Sequence, residues 1–374
     1  MPHPDRVFDA LLLRLRAGLW EQLPPHELRA EESGRPTLFP LTADEWALLY
    51  GEACKQTVVG IVWQGVSLLP QEFMPPHATT MRWVAHVDAI ERHNATMHKA
   101  LASLLALYKS RGIEAIVLKG DTVAALYPLP ELRQSGDIDL YFPNADDRKQ
   151  AEELVRENGC ATSHSADRST LFTWQGATVE HHSKIFDLQR PRSVKIVEQT
   201  MQGIENLFLP LRVNDSLVIE ALAPRPNMLL LVTHTLKHAM GRGVGLRQLC
   251  DVAMAYKAQG GALDATAQKE LFAAMGLERW CALLHSFLTQ HLGLPRTALP
   301  WDTPERDTTP LMHIVRKGGN FGQHAATSKS SGAVTHKIDT ALSFIRNIGF
   351  CAEYAPLESL YTFWQLLKGQ CKRQ

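Results

Sequence analysis

Residues 112–142 read GIEAIVLKGDTVAALYPLPELRQSGDIDLYF, and the fold prediction starts from this stretch. The apolar, β-branched run 113–118 predicts a strand that ends at Lys119-Gly120. A short helix is expected over 121–127, and a second strand over 137–142. A strand, a helix and another strand within about 30 residues predict a small mixed sheet.

The second strand alternates acidic and apolar residues, Asp137-Ile138-Asp139-Leu140. Side chains at i and i+2 of a strand lie on the same face, so the two aspartates should be neighbours while Ile138 and Leu140 enter the core. Two carboxylates this close repel each other unless a cation lies between them. A hard divalent ion that also holds a polyphosphate is the natural cation. Taken alone, however, the two aspartates also fit a solvated strand end.

The surrounding motifs resemble those of a known family. The sequence Leu118-Lys119-Gly120, followed by Tyr127-Pro128, Arg133 and Asp137-Ile138-Asp139-Leu140, is similar to the core of the bacterial uncharacterised nucleotidyltransferases. The resemblance is specific here and weaker over most of the chain. It implies the fold shared with DNA polymerase beta and the antibiotic nucleotidyltransferases. It also implies transfer of a nucleoside monophosphate from a nucleoside triphosphate to an acceptor hydroxyl, with release of pyrophosphate.

A site that holds two metal ions for this reaction usually needs a third carboxylate. In Val179-Glu180-His181-His182, Glu180 and His182 match the acidic-apolar-His pattern of the resembled family, although His181 replaces the apolar residue. We therefore expect Asp137, Asp139 and Glu180 to be catalytic and to bind Mg²⁺ or Mn²⁺, with Glu180 also a candidate for the base. Asp187 is the alternative third carboxylate, and the resemblance implies that His182 contacts the nucleotide.

Four residues near the first aspartate are candidates for holding the triphosphate. Gly120 allows the backbone to approach phosphate, and the planar fork of Arg133 suits it. Lys119 can bind phosphate or form a salt bridge, and Ser135 can donate a hydrogen bond or support the loop. ATP is the default donor because it is abundant.

A later set, His234, His238, Arg247 and Asp251, also matches the resembled family. The resemblance implies that these residues face the cleft and contact nucleotide or acceptor. A buried polar network that fixes the helices is the alternative. The two histidines have the spacing of metal ligands on a helix, but the Glu of an HExxH motif is missing.

Composition limits the partners and the compartment. The 374 residues contain 39 Lys+Arg and 39 Asp+Glu, a net charge of zero, which makes a long nucleic acid a less expected acceptor than a small molecule, a sugar or a protein side chain. The six cysteines lack a CxxC pair and indicate a reducing compartment. No apolar run has the length of a membrane span. We expect a cytoplasmic protein.

The predicted fold class is α+β, a small mixed-sheet nucleotidyltransferase core flanked by helical regions and mostly helical overall. The expected division is an N-terminal helical region (1–108), the core (109–190) and a C-terminal helical region (191–374). Residues from about 295 to 337 are expected to form a mobile connection. An alternative function is a non-catalytic module of the same fold that senses nucleotide or binds a partner.

Overall fold

The computed structural model describes residues 4–22, 38–165, 168–241, 243–319 and 346–371. Seven strands of the described chain form one sheet of order β3-β4-β5-β2-β1-β7-β6. The strands are β1 (Ile116–Leu118), β2 (Ile138–Tyr141), β3 (Ser163–His164), β4 (Thr170–Trp174), β5 (Ala177–His182), β6 (Phe208–Arg212) and β7 (Val218–Leu222).

Helices precede, interrupt and follow this sheet, which confirms the predicted α+β, mostly helical class. The described α-helices are α1 (Pro4–Trp20), α2 (Ala43–Lys55), α3 (Val59–Ser67), α4 (His77–Lys109), α5 (Gly120–Ala124), α6 (Ala145–Glu157), α7 (Pro191–Gln202), α8 (Pro224–Met240), α9 (Leu246–Gln259), α10 (Ala265–Met275), α11 (Glu278–Leu292), α12 (Thr309–Gly318), α13 (Ile348–Tyr354) and α14 (Pro356–Cys371). Within the described ranges, none of them combines the length and the apolarity needed to cross a bilayer.

The two faces of the central strands pack against different helices. Ile138 and Leu140 are buried in a core with residues of α4 and α6, such as Leu101 and Leu154. The opposite face carries Leu118, which packs against α8. The predicted alternation of β2 is therefore confirmed, and its acidic side faces α8.

Strand pairing brings the predicted acidic residues together. β2 is antiparallel to β1, with Asp139 opposite Leu118, and parallel to β5, with Asp139 opposite Glu180. Residues opposite each other in a ladder lie on the same face. Asp139 and Glu180 are consequently neighbours on the face that points to α8.

The sheet extends beyond the predicted core. β7 pairs in parallel with β1, and β6 forms a hairpin with β7, yet both strands lie in the range 191–374 that was predicted to be helical. The available signal was the turn sequence Asn214-Asp215-Ser216 between two apolar runs. The division at residue 190 is not tested and stays a prediction.

The range predicted as a mobile connection contains a helix, α12. Leu311, Ile314 and Val315 recur at helical spacing and are buried, so this segment packs on the protein. Residues 320–337 of the predicted connection lie outside the described residues.

Two glycines allow α1 and α3 to pack in backbone contact. A Cβ added at Gly18 would lie 1.9 Å from the carbonyl oxygen of Ile61, and one at Gly65 would lie 1.8 Å from that of Arg14. We expect Gly18→Ala to lower the free energy of unfolding by about 3 kcal/mol, because the helices must separate. Urea unfolding measures this change. Gly51→Ala is the matched control, since nothing lies within 4 Å of the added Cβ, and it should raise stability by up to about 1 kcal/mol. Equal effects of the two changes would contradict the packing argument.

A buried histidine should make stability depend on pH. His285 of α11 is 1 % exposed, with Tyr256 Oη 3.1 Å from Nε2 and Thr303 Oγ1 3.2 Å from Nδ1. Burial lowers the pKa of His285 to about 3. Below pH 6.5 the unfolded chain binds a proton here that the native state does not bind, so stability is lost as the pH falls towards 3.

Between pH 8 and pH 5, His285 alone should remove about 2 kcal/mol of unfolding free energy. Urea unfolding at both pH values should show this loss in the wild type. Other groups contribute as well, so the comparison is with His285→Gln, whose pH dependence should be shallower by the same amount. Identical pH dependence of stability in both proteins would show that burial does not lower the pKa of His285.

Candidate active site

A cavity of about 190 Å³ lies between the central strands and helices α8 and α9. It contains all the predicted site residues except Ser135. Its lining residues are Lys119, Gly120, Arg133, Gly136, Asp137, Asp139, Glu180, His182, Asp187, Leu231, His234, Thr235, Lys237, His238, Arg247, Gln248 and Asp251. Five of these residues were not predicted, because residues of these types do not by themselves indicate a functional site. They are Gly136, Leu231, Thr235, Lys237 and Gln248.

Three side chains of this cavity could hold a metal ion together. Ligand atoms of Asp139, Glu180 and His182 lie within 4.8 Å of one another. Asp137, predicted as a ligand, lines the same cavity but is outside this group. His182, predicted to contact the nucleotide, is inside it.

Asp139 is the centre of this group. Its Oδ1 lies 2.5 Å from Nε2 of His182 and 3.2 Å from Nζ of Lys119. Burial alone would raise the pKa of Asp139, but the Lys119 charge and the His182 hydrogen bond hold it below its ordinary value. Asp139 is therefore an ionised carboxylate that has two cationic or donor partners.

Asp137 lies immediately before β2 and is exposed at the cavity. The negative charge of Asp139 raises the pKa of Asp137 to about 6, against the opposing effect of Lys119. The repulsion expected from the alternating sequence is thus present, and Lys119 relieves part of it.

His181, which replaces the apolar residue of the resembled pattern, does not change the register of β5 against β2. His181 is fully buried on the other face of β5, where Tyr108 Oη lies 2.8 Å from Nε2. Its ring packs edge-on against Phe142 and Phe172. A polar residue is accommodated at this apolar position because Tyr108 supplies its partner, and Glu180 and His182 still face the cavity.

The turn between β1 and α5 carries Lys119 and Gly120, both with positive φ of 49° and 43°. This left-handed region favours glycine, and it presents the backbone of Gly120 to the cavity. The next residue, Asp121, points away to His98 of α4, with its Oδ1 3.0 Å from Nε2. An acidic side chain at this position therefore does not face the cavity.

Arg133 is held by a buried acidic partner. It is 2 % exposed and donates from Nε and Nη2 to the two oxygens of Asp251, both at 2.8 Å. Tyr127 donates to the same carboxylate at 2.8 Å. Nη1 of Arg133 makes no hydrogen bond within the described chain. The fork predicted to bind phosphate is thus anchored on α9, with one nitrogen left over.

Ser135 and Arg247 support the same loop. The backbone N–H of Ser135 donates to Oδ1 of Asn94 on α4 at 3.2 Å, and Arg247 donates to the carbonyl of Gln134 at 3.3 Å. Burial and the neighbouring Arg133 charge lower the pKa of Arg247. Ser135 is buried and does not line the cavity, whereas Arg247 does.

A second group of titratable side chains forms the α8 wall of the cavity. Asp187 Oδ2 lies 3.3 Å from Nδ1 of His234, and its Oδ1 lies 2.8 Å from Nζ of Lys237. Nε2 of His234 lies 3.1 Å from Nε2 of His238. Both oxygens of Asp187 therefore have partners, and Asp187 is outside the group of possible metal ligands formed by Asp139, Glu180 and His182.

Comparison with known proteins identifies the family of the chain. No curated protein and no solved structure shows significant similarity to the chain. The family model described as "Uncharacterised nucleotidyltransferase" matches residues 42–293, a range that contains β1 to β7 and the whole cavity lining. The chain therefore belongs to the uncharacterised nucleotidyltransferases, a family of transferases.

Proposed function

We propose that this protein transfers a nucleoside monophosphate from a nucleoside triphosphate to an acceptor hydroxyl in a metal-dependent reaction that releases pyrophosphate. The observation that supports this proposal best is the pairing of Asp139 with Glu180 on adjacent strands, with His182 beside them. ATP is the proposed donor, and a small molecule, a sugar or a protein side chain is the proposed acceptor.

The donor atoms of the site fit a divalent ion. Asp139 and Glu180 offer carboxylate oxygens and His182 an imidazole nitrogen, all within 4.8 Å of one another. Carboxylates suit Mg²⁺ and Mn²⁺, and we propose that these three residues hold the ion, with Asp137 beside them. When bound, such an ion offsets the negative charge that develops on the phosphoryl oxygens.

The cations of the cavity would hold the triphosphate. Arg133 lines the cavity, and its Nη1 has no hydrogen-bond partner within the described chain. The Lys119 ammonium, 3.2 Å from Asp139, can exchange this carboxylate for a phosphate oxygen. Gly120 allows the backbone to approach the phosphate groups. Ser135 would support the loop through its backbone hydrogen bond to Asn94. It would not donate a hydrogen bond to phosphate.

In the reaction, the acceptor oxygen forms a bond to the α-phosphorus, and the bond from that phosphorus to the bridging oxygen breaks. The electron pair leaves with pyrophosphate. Catalysis of such a displacement depends on placing the two reactants and on stabilising charge. A cavity lined by the carboxylates of Asp139 and Glu180 and by the guanidinium groups of Arg133 and Arg247 meets both requirements.

Pyrophosphate release tests this proposal. The purified protein is mixed with each of the four nucleoside triphosphates, with Mg²⁺ or Mn²⁺, and with a panel of hydroxyl acceptors. We expect release with at least one donor and only when the ion is present. Stabilisation by a nucleotide without pyrophosphate release under all conditions would instead favour the non-catalytic nucleotide-sensing module.

A further inference from the structure

The α8 wall of the cavity carries an ordered chain of side chains that the proposed metal and phosphate sites do not use. It runs from Asp187 to His234 and on to His238, with Lys237 on the other oxygen of Asp187. The side chains of Asp187 and His234 are 17 % and 15 % exposed. All four residues line the same cavity as Asp139 and Glu180.

The contacts and the charges around them assign a tautomer to His234. Burial opposes ionisation of Asp187, but the His234 hydrogen bond and the Lys237 charge keep its pKa well below the ordinary value. An ionised carboxylate can only accept, so Nδ1 of His234 carries the proton that faces Asp187. Burial and the Lys119 charge lower the pKa of His234 to about 4, which keeps the ring neutral. Its Nε2 therefore carries the electron pair of the ring, which faces Nε2 of His238.

The position of His238 shows the direction in which the electron pair on Nε2 of His234 points. Its Nε2 lies 3.1 Å from Nε2 of His234, and it must be the donor in this contact because His234 is protonated on its other nitrogen. A hydrogen-bond donor at this position is therefore compatible with the site. An acceptor hydroxyl that enters the cavity is a donor of the same kind, and it would replace His238 on this electron pair.

We propose that His234 is the base that takes the proton of the acceptor hydroxyl on Nε2, and that Asp187 is a positioning residue that holds its ring in the required tautomer. This inference rests on the proposed nucleotidyl transfer. The hydroxyl O–H bond breaks, the proton binds Nε2 of His234, and the oxygen bonds the α-phosphorus while pyrophosphate leaves with the electron pair of the broken P–O bond. A base oriented by a carboxylate is a general way to activate a hydroxyl nucleophile.

The carboxylates on the strands are less suited to this task. Asp139 already contacts His182 and Lys119, and with Glu180 it belongs to the proposed metal ligands. His234 is outside that group, on a different wall of the same cavity. The geometry thus separates ion binding on the strands from proton removal on α8.

Chemical rescue tests this role. Pyrophosphate release from ATP and Mn²⁺ is measured with water and glycerol as hydroxyl probes, for the wild type, His234→Ala and His234→Gln. We expect both variants to be slower by about 10²-fold or more, with Mn²⁺-dependent ATP affinity unchanged within about twofold. Added imidazole should restore His234→Ala by replacing the missing base, and it should not restore Asp139→Asn.

Two further variants complete the design. His93→Ala removes an exposed histidine of α4 and should keep the wild-type rate. Asp187→Asn keeps the imidazole but offers an amide in place of the carboxylate, and it should slow the reaction without imidazole rescue. It also provides a test if His234→Ala does not fold.

The outcomes separate the inference from the proposed function. A wild-type rate in His234→Gln, a loss of ATP affinity that accounts for the loss of rate, or no imidazole rescue of folded His234→Ala would each overturn the role of His234 alone. Failure of the wild type to release pyrophosphate from any nucleotide would overturn both proposals.

Discussion

Asp139→Asn is expected to lower the rate of pyrophosphate release by about 10³-fold or more, which corresponds to about 4 kcal/mol of lost transition-state stabilisation. Asn keeps the shape of the side chain but removes the charge. Asp139 is the residue on which the Lys119 and His182 contacts converge, and it is central to the proposed ion-binding group.

The same variant should lose the ion-dependent binding of nucleotide. In the wild type, a nucleotide present at 100 times its Kd should stabilise the fold by about 2.7 kcal/mol, and thermal unfolding with and without Mn²⁺ measures this shift. Asp215→Asn, in the exposed β6–β7 turn, is the matched control and should behave as the wild type does. A full nucleotide shift in Asp139→Asn with normal pyrophosphate release would disprove the proposed site.

The strand side of the cavity could be predicted from the sequence because its signal is local. Asp137 and Asp139 are separated by one residue, so strand geometry alone places them on one face. Glu180 needed the additional assumption that its strand lies beside β2. The parallel pairing of β5 with β2 confirms it, and the burial of His181 among aromatic rings confirms the register.

The helix side could not be derived in the same way, because its contacts join distant parts of the chain. Arg133 meets Asp251 across 118 residues, and Asp187 meets His234 across 47. The spacing of His234 and His238 indicated one helical face but not the carboxylate that orients it. Residue type identified the candidates, and only the fold decides which of them are bound to each other.

The assignment of Arg133 shows why this distinction matters. A guanidinium near two aspartates is a natural phosphate ligand, and the sequence supports that role. In the structure, two of its three nitrogens donate to Asp251, so the side chain also serves the fold. A loss of activity after its replacement would not by itself show phosphate binding.

Replacement of Arg133 by Met is therefore expected to destabilise the protein strongly, by about 3–5 kcal/mol. It leaves the Asp251 carboxylate, which is 5 % exposed, without the guanidinium that donates two hydrogen bonds to it, while the Tyr127 hydroxyl remains as a donor. Asp251→Leu should have an effect of similar size, since it leaves the Arg133 charge buried. Urea unfolding at pH 7 measures both.

The double variant Arg133→Met/Asp251→Leu separates folding from function. Removing both charges ends the burial of an unpaired ion, so the double variant should recover most of the lost stability and show a coupling energy of about 2–3 kcal/mol. If Nη1 of Arg133 also binds phosphate, the stable double variant should still bind nucleotide more weakly than the wild type. Additive losses would show that the pair is not coupled. Wild-type nucleotide affinity in the double variant would limit Arg133 to a structural role and leave Lys119 and Arg247 as the phosphate-binding cations of the cavity.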